Sequence, residues 1–314
     1  MRKKIVMFFN KEKPEKNPFT EFKNKQEVYF DFFKQGHAAG LDMYIASKEM
    51  GCPGKLKFNS PLFFNGKNFK KMAAAIKADA IYDRSGGLKF PTAAVSSRTL
   101  NTRSFKDLCY SKNKMYKILG DFMPKSFKIK NQNDFEKKLN LFLKDELVVI
   151  KPSSGLGGKG ITIDTVSNIK KSNYSIEKES VLQKFVDTSS GIGGIVRGRH
   201  DLRVVIVFGK IIFASLRTPK KDSLLANVAQ GGKIKELPLE KLPTAVKRNA
   251  LKIQKILDKK FNYPIYSIDF GIEKGKPFVF ELNDQIGFPS KKMKSYKLFN
   301  GALIKSLARL AVKN

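Results

Sequence analysis

The sequence predicts a mixed α/β (α+β) protein in which an open N-terminal α/β unit is followed by two α+β units. Three observations carry this. Apolar strand-like runs alternate with helix-like segments through the first hundred residues, and strand–turn–strand patterns dominate from residue 147 onward. The length of 314 residues suits two or three packed units of roughly 100–150 residues each.

In chain order, residues 5–9 read as a buried strand, 11–18 as a charged, proline-bearing loop and 26–39 as a helix. A second helix is predicted over 69–77, and a short strand over 80–82 ends in the turn Asp83-Arg84-Ser85-Gly86-Gly87. Near residue 105 the texture changes. A helix is predicted over 112–119, a stop at 120–124, a strand over 126–130 and a helix over 133–143, with Asn131 or Asn133 as its cap. Strands follow at 147–150, 161–164 and 181–186. Strands 202–207 and 210–216 flank Phe208-Gly209, and strands 265–272 and 277–282 flank the Glu273-Lys274-Gly275-Lys276 turn. Helices fill 243–257 and 298–312. The expected units are 1–105, 106–187 with a glycine-rich loop, and 188–314.

Hydrophobic content of 41% with 11% aromatics is that of a folded chain, and no apolar run reaches the roughly 18 residues of a membrane span. The basic start is followed by an apolar stretch too short for a signal peptide, which fits a first strand better. Cys52 and Cys109 lack disulfide-framework or metal-ligand spacing, and with only His37 and His200 beside them they assemble no zinc site. A cytoplasmic location is the expectation. The net charge of +33 admits a polyanionic partner, but it is spread: +10 over residues 1–100, +9 over 101–200 and +14 over 201–314. Lysines number 51 and arginines 10, which favours compositional bias over a dedicated phosphate-reading surface.

Residues 147–163, LVVIKPSSGLGGKGITI, are the centre of the functional reading. Gly155, Gly157 and Gly160 match the dinucleotide-binding spacing, but that loop must open a helix and here a strand follows. A strand–glycine loop–strand can fold its backbone N–H groups over phosphates, with Lys151 at the end of the incoming strand as the cation. A protein kinase shares this loop, and His200-Asp201-Leu202 and Asp269-Phe270-Gly271 follow in kinase order. The catalytic-loop Asn is missing, however, and only 43 residues follow Gly271.

Glu281 and Asn283 lie two apart on one strand and so share a face. If the hairpin is symmetric about Gly275, Asp269 sits directly opposite Glu281. Three oxygen ligands would then converge, as magnesium prefers. Four of the ten arginines, Arg197, Arg199, Arg203 and Arg217, fall within 21 residues. Arginine in so lysine-rich a chain marks places that need its fork. His200 has no catalytic partner at a recognisable spacing.

Together these segments resemble the ATP-grasp superfamily, most closely its glutathione synthetase-like and ribosomal-protein glutamate-ligase branch. The matching segments run in family order: Asn113-Lys114 opening a helix; VVIKPSSGLGGKGI; Leu182-Gln183-Lys184-Phe185-Val186; HDLRVVIVFGKIIFASLR; Asn227 with Gln230-Gly231-Gly232; and Asp269 with Glu281-Leu282-Asn283. The sequence departs from the family in having Asp284-Gln285-Ile286-Gly287 in place of a Pro-Gly, and Lys184 where many relatives carry Glu. The first 105 residues carry no such match.

The resemblance implies an ATP-grasp fold whose last two units clasp ATP. It implies that Lys114 and Lys151 contact ATP, with Gly155, Gly157, Gly158 and Gly160 over the phosphates and Gln183, Lys184, Phe185 and Val186 lining the adenine pocket. Arg203, Arg217 and Asn227 would steady the transferred phosphate. Asp269, Glu281 and Asn283 would hold Mg2+, two ions in the family, with Mn2+ as an alternative. The implied activity is ATP-dependent ligation of a carboxylate to an amine through an acyl phosphate. Arg197, Arg199, Lys220 and Lys221 around that site suggest an acidic amino acid, peptide or protein tail as substrate. The competing reading is a basic nucleic-acid- or ribosome-associated protein on a non-catalytic ATP-binding fold. Nucleic acid is otherwise expected only as a non-specific partner and a membrane not at all, while a homo-oligomer is compatible with the sequence.

Overall fold

The computed structural model describes residues 1–9, 19, 26–52, 55–86, 98–155, 160–220, 223–224, 226, 231–261 and 263–312. β1 (Lys3–Phe9) leads through α1 (Gln26–Ala38) to the parallel strand β2 (Leu41–Ser47). Residues 41–47, unassigned from sequence, thus complete a βαβ unit. After β3 (Gly51–Cys52), β4 (Lys57–Phe58), β5 (Leu62–Phe64), β6 (Phe69–Lys71) and β7 (Ile76–Lys77), β8 (Ala80–Asp83) returns parallel to β1 on its other side, followed by β9 (Thr99–Leu100). The main sheet has the order β6-β5-β2-β1-β8-β9, and β3, β4 and β7 form a second small sheet. β1 is apolar at every position from Ile5 because both its faces are covered. Ile5, Met7 and Phe9 face one hydrophobic cluster, and Val6 and Phe8 the other.

The helix predicted over 69–77 does not form. Lys, Met and Ala favour one, but Phe69 is claimed by an aromatic cluster, with ring centroids 5.1 Å from both Phe33 and Phe64. That packing holds β6 against β5 as an edge strand and leaves Ala73–75 exposed.

α2 (Arg103–Tyr110) is capped by Thr102, and α3 (Lys112–Leu119) by Ser111, whose hydroxyl accepts the Lys114 N–H. The next sheet is antiparallel throughout: β10 (Ser126–Ile129), then α4 (Gln132–Leu139) capped by Asn131, β11 (Leu147–Pro152), β12 (Thr162–Thr165), α5 (Val166–Lys171) and β13 (Ser180–Lys184), in the order β10-β13-β11-β12. The glycine-rich segment therefore does join two strands of a hairpin.

The last sheet contains β14 (Asp201–Val207), β15 (Lys210–Thr218), β16 (Lys233–Leu237), β17 (Ile265–Glu273) and β18 (Lys276–Asn283), ordered β16-β15-β14-β17-β18. α6 (Thr244–Phe261) turns a stripe of Val246, Ala250, Ile253, Leu257 and Phe261 onto one face, where it joins Leu202, Val204 and Ile206. On the opposite face Val205, Val207 and Phe213 meet α7 (Ser295–Ala311). α7 also packs on β1 and β8, so one hydrophobic cluster runs from the first sheet into the last. Among the described residues no helix is long and apolar enough to cross a membrane.

Candidate active site

The β17–β18 hairpin turns on Lys274 and Gly275, both with positive φ (47° and 79°), the two-residue loop that matches strand twist. From that turn Glu273 pairs with Lys276, Gly271 with Phe278 and Phe270 with Val279. The register then shifts at a bulge whose extra residue is Phe280, so that Asp269 pairs with Glu281 and Ser267 with Asn283. Without the bulge, Asp269 would face Phe280 and the Glu281 carboxylate would leave on the opposite face. The Phe280 ring lies over Gly271, where a Cβ would sit only 2.1 Å from the ring. Glycine is what allows the bulged aromatic to lie there.

Asp269, Glu281 and Asn283 consequently share one face, with Asn283 Nδ2 3.1 Å from Asp269 Oδ2 and 3.2 Å from Glu281 Oε1. The neighbouring strands extend this into a polar ladder. Arg203, paired with Asp269 across β14–β17, donates from Nε and Nη2 to both carboxylate oxygens at 2.7 Å. Arg217, paired with Asp201 across β14–β15, donates from Nε to Asp201 Oδ1 (3.1 Å) and from Nη2 to Asp201 Oδ2, and reaches Asp269 Oδ2 at 2.6 Å. Asp201 falls in the matching segment but is assigned no role by the motif reading, yet here it is the second carboxylate of the arginine network. The sequence signal for this role is its position two residues before Arg203, on the same face of a strand.

The electrostatics follow from burial. Burial pushes Asp269 upward, but Arg203 and Arg217 outweigh it and hold its carboxyl at about 2. Burial, then the Asp269 charge, pushes Asp201 up to about 7 against the pull of Arg217. Burial, then Asp269, also raises Glu281. The site thus gathers more acidic oxygen than the two arginines neutralise, and a cation would relieve the excess. Two carboxylates and one amide are a donor set of the kind Mg2+ takes, once the Asn283 amide turns toward the cation its Oδ1 in place of the Nδ2 that bonds Asp269 and Glu281.

A stability prediction arises here. For a carboxyl raised in the folded state, stability is fully present below the unfolded pKa and is lost as pH rises through the folded one. The metal-free protein is expected to lose thermal stability between pH about 4 and about 7, the window set by Asp201, with Glu281 acting in the same direction. Asp269 acts oppositely, but below that window. Melting curves of wild type and Asp201→Asn across this range test it, and a variant with the wild-type slope would refute the assignment.

The phosphate-side residues come from the preceding sheet. Lys151, at the end of β11, is buried, and its Nζ lies 2.8 Å from Gln183 Oε1. Gln183 Nε2 in turn donates to Ser126 Oγ at 2.7 Å. Burial, then Lys112, lowers Lys151 to about 8, with Glu281 opposing. Gly155 and Gly160 have φ of 123° and 71°. Gly157 and Gly158 lie outside the described residues, as do Asn227 and Lys221.

The structure does not bring Lys114 to this site. It is exposed and ion-paired with Asp107. Lys112 faces inward instead, with Nζ 3.2 Å from Gly155 O, and it feels the charge of Glu281. Gln183 and Val186 are buried, while Lys184 is exposed and 3.5 Å from Glu146. The Lys184 and Phe185 N–H groups donate to Lys125 O and Leu147 O, and Asp187 N–H donates to Glu273 Oε1, so this segment is pinned to both sheets. Arg197 is exposed and Arg199 lies 4.0 Å from Asp187, outside the ladder. His200 is buried, with its Nδ1 3.2 Å from Gly198 O and its backbone N–H bonded to Thr188 Oγ1.

Known proteins resemble this chain. Residues 113–260 match the family described as prokaryotic glutathione synthetase, ATP-grasp domain. Uncharacterized protein MG011 of Mycoplasma genitalium is 24% identical over 288 residues, 91% of this chain and 85% of that protein. D-alanyl-alanine synthetase A from Vibrio cholerae aligns over 100% of both chains with a TM-score of 0.63 at 13% identity. The ATP-grasp ligase PsnB, solved with a phosphomimetic variant of a minimal precursor, Mg and ADP, aligns over 99% of both chains with a TM-score of 0.58 at 13% identity. With Lys151, Arg203 and Arg217 all inside the matched segment, residues 113–260 resemble an ATP-grasp domain, and the whole chain shares its fold with these ligases.

Proposed function

We propose that this protein is an ATP-dependent carboxylate–amine ligase working through an acyl phosphate. The observation that carries this reading is the ladder of Asp201, Arg217, Arg203, Asp269, Glu281 and Asn283 on one sheet face, with Lys112 and Lys151 of the preceding unit electrostatically coupled to Glu281. Units 1–105, 106–187 and 188–314 are the division that this reading uses, with α7 serving the first and the last.

A carboxylate does not react with amines until it has a leaving group. In the proposed reaction a substrate carboxylate oxygen attacks the γ-phosphorus of ATP, the bond to the β-phosphate oxygen breaks and ADP leaves. The amine nitrogen then attacks the acyl carbon, the carbon–oxygen bond to phosphate breaks, and the nitrogen loses a proton. The residues position the reactants and neutralise charge. Lys151 and Lys112 offset phosphate charge from the hairpin side, and Arg203 and Arg217 from the ladder. Mg2+, when bound by Asp269, Glu281 and Asn283, would neutralise the β- and γ-phosphate oxygens. Asn227, with the glycines of the loop, belongs to the same proposed site.

The substrate we favour is an acidic amino acid, peptide or protein tail, because the chain carries a net charge of +33. An ADP-release screen over amino acids, dipeptides and acidic peptides with excess amine donors tests both levels. Turnover only with neutral or cationic acceptors removes the acidic preference, and no turnover or Mg–ATP binding at all removes the ligase.

Lys151 supplies a pH prediction. A lysine held near 8 in the free protein is charged at pH 7 and about nine-tenths neutral at pH 9. ATP affinity measured by calorimetry should fall about tenfold between those values. Lys151→Arg, charged throughout, should flatten the profile.

A further inference from the structure

The segment that follows Asn283 is held by the N-terminal unit and α2 through buried charges. Lys106 on α2 is 1% exposed, and its Nζ lies 2.6 Å from Asp83 Oδ2 and 3.4 Å from Asp284 Oδ2. Asp83 ends β8, at the carboxyl ends of parallel strands, and its Oδ1 accepts the Ser85 N–H at 2.8 Å and hydroxyl at 2.6 Å. Gln285 Nε2 donates to Asp284 Oδ2 (2.8 Å) and to Asp83 O (3.3 Å). Arg84 Nη1 donates to Ile286 O at 3.0 Å, while its Nη2 reaches Tyr29 Oη at 3.2 Å. Asn101 Nδ2 donates to Ile265 O (2.6 Å) and lies 3.4 Å from Asp284 O. Each of residues 284, 285 and 286 is therefore tied to residues 83–106, and Asp284 directly follows Asn283.

We propose that Lys106, Asp83 and Asp284 form a positioning clamp through which the N-terminal unit and α2 fix Asn283 for metal binding. A buried ion network gives little net stability over apolar side chains of the same volume, and its directional hydrogen bonds restrict how the groups it joins can sit. Asn283 bonds both Asp269 and Glu281, so a shift of the 283–286 turn changes the spacing of all three oxygen donors. Groups that hold a ligand without touching the metal can set its affinity by about 10–100-fold. The N-terminal unit then belongs to the metal site mechanically while contributing no donor atom to it.

The inference rests on the proposed magnesium site, and the test separates the two. ADP binding to the full chain is measured by calorimetry in EDTA and across a Mg2+ titration, for wild type, Asp284→Asn and Gln285→Ala. Asp284→Asn keeps the Lys106–Asp83 pair, and Gln285→Ala keeps all three charges. Both are expected to bind ADP in EDTA as wild type does, but to need about tenfold or more Mg2+ for half of its effect. Asp284→Glu, which keeps the charge, should recover part of the loss. A wild-type protein indifferent to Mg2+ overturns the metal reading itself. A Mg2+-dependent wild type, with both variants at its Mg2+ requirement, overturns the clamp alone, whatever their melting temperatures do.

Discussion

Glu281→Gln is expected to abolish turnover while making the metal-free protein more stable. Removing one preorganised charge-stabilising group typically lowers turnover about a hundred- to a thousandfold, and a proposed metal ligand should lie at the upper end. The stability gain has a separate origin. Glu281 is raised by burial and by Asp269, so ionising it costs the folded state more than the unfolded state above the usual carboxyl range. A neutral amide of the same shape removes that cost. Few substitutions move stability and activity in opposite directions for stated reasons, so the pair is diagnostic. ADP release with a working substrate and metal-free melting at pH 7 are the two measurements. Near-normal ADP release by Glu281→Gln would sink the metal assignment. Asp269→Asn should be equally inactive but less stable, because it strips Arg203 and Arg217 of their shared partner.

Arg217→Met is expected to cost about 3–5 kcal/mol of folding stability, the range for breaking a buried ion pair by removing one partner. Arg217 is 6% exposed and bonds two carboxylates, Asp201 and Asp269. Its loss leaves Asp201 beside Asp269 without compensation. The double variant Arg217→Met, Asp201→Asn should recover a large part of the loss, since the uncompensated charge has gone. Additive effects in urea denaturation would show that Arg217 and Asp201 are not coupled. The double variant should stay inactive, because the proposed phosphate contact of Arg217 is not restored.

The elements that matched the sequence reading are those decided within a few residues. Asn131 caps α4, Ser111 caps α3, and the two-residue turn at Lys274-Gly275 closes β17–β18. Each is local chemistry, with partners three or four residues away. The pairing of Asp269 with Glu281 is also observed, though not by the simple symmetry about Gly275 that predicts it. The turn by itself sets a register one residue off, and the bulge at Phe280 restores the expected pair.

Lys112 and Lys114 show the opposite case. Two residues apart on a helix, they point about 200° apart, so which one serves the site depends on how α3 docks. Helix propensity in 69–77 likewise lost to aromatic rings brought from α1 and β5.

By itself the sequence determined the order of the chemistry-bearing segments, the glycine-rich hairpin, the three oxygen donors on one strand pair and the family they resemble. Tertiary structure alone decided what neutralises and holds those donors. Arg203 and Asp269 are 66 residues apart, and Lys106 bonds partners on either side of it in the chain, Asp83 and Asp284. Such pairs exist because strands β14, β17 and β8 and helix α2 close on one another. Burial then makes any charge without a partner too costly to leave in place. Local propensity and spacing carry no record of that closure, which depends on the packing of the first and last sheets with α7 between them.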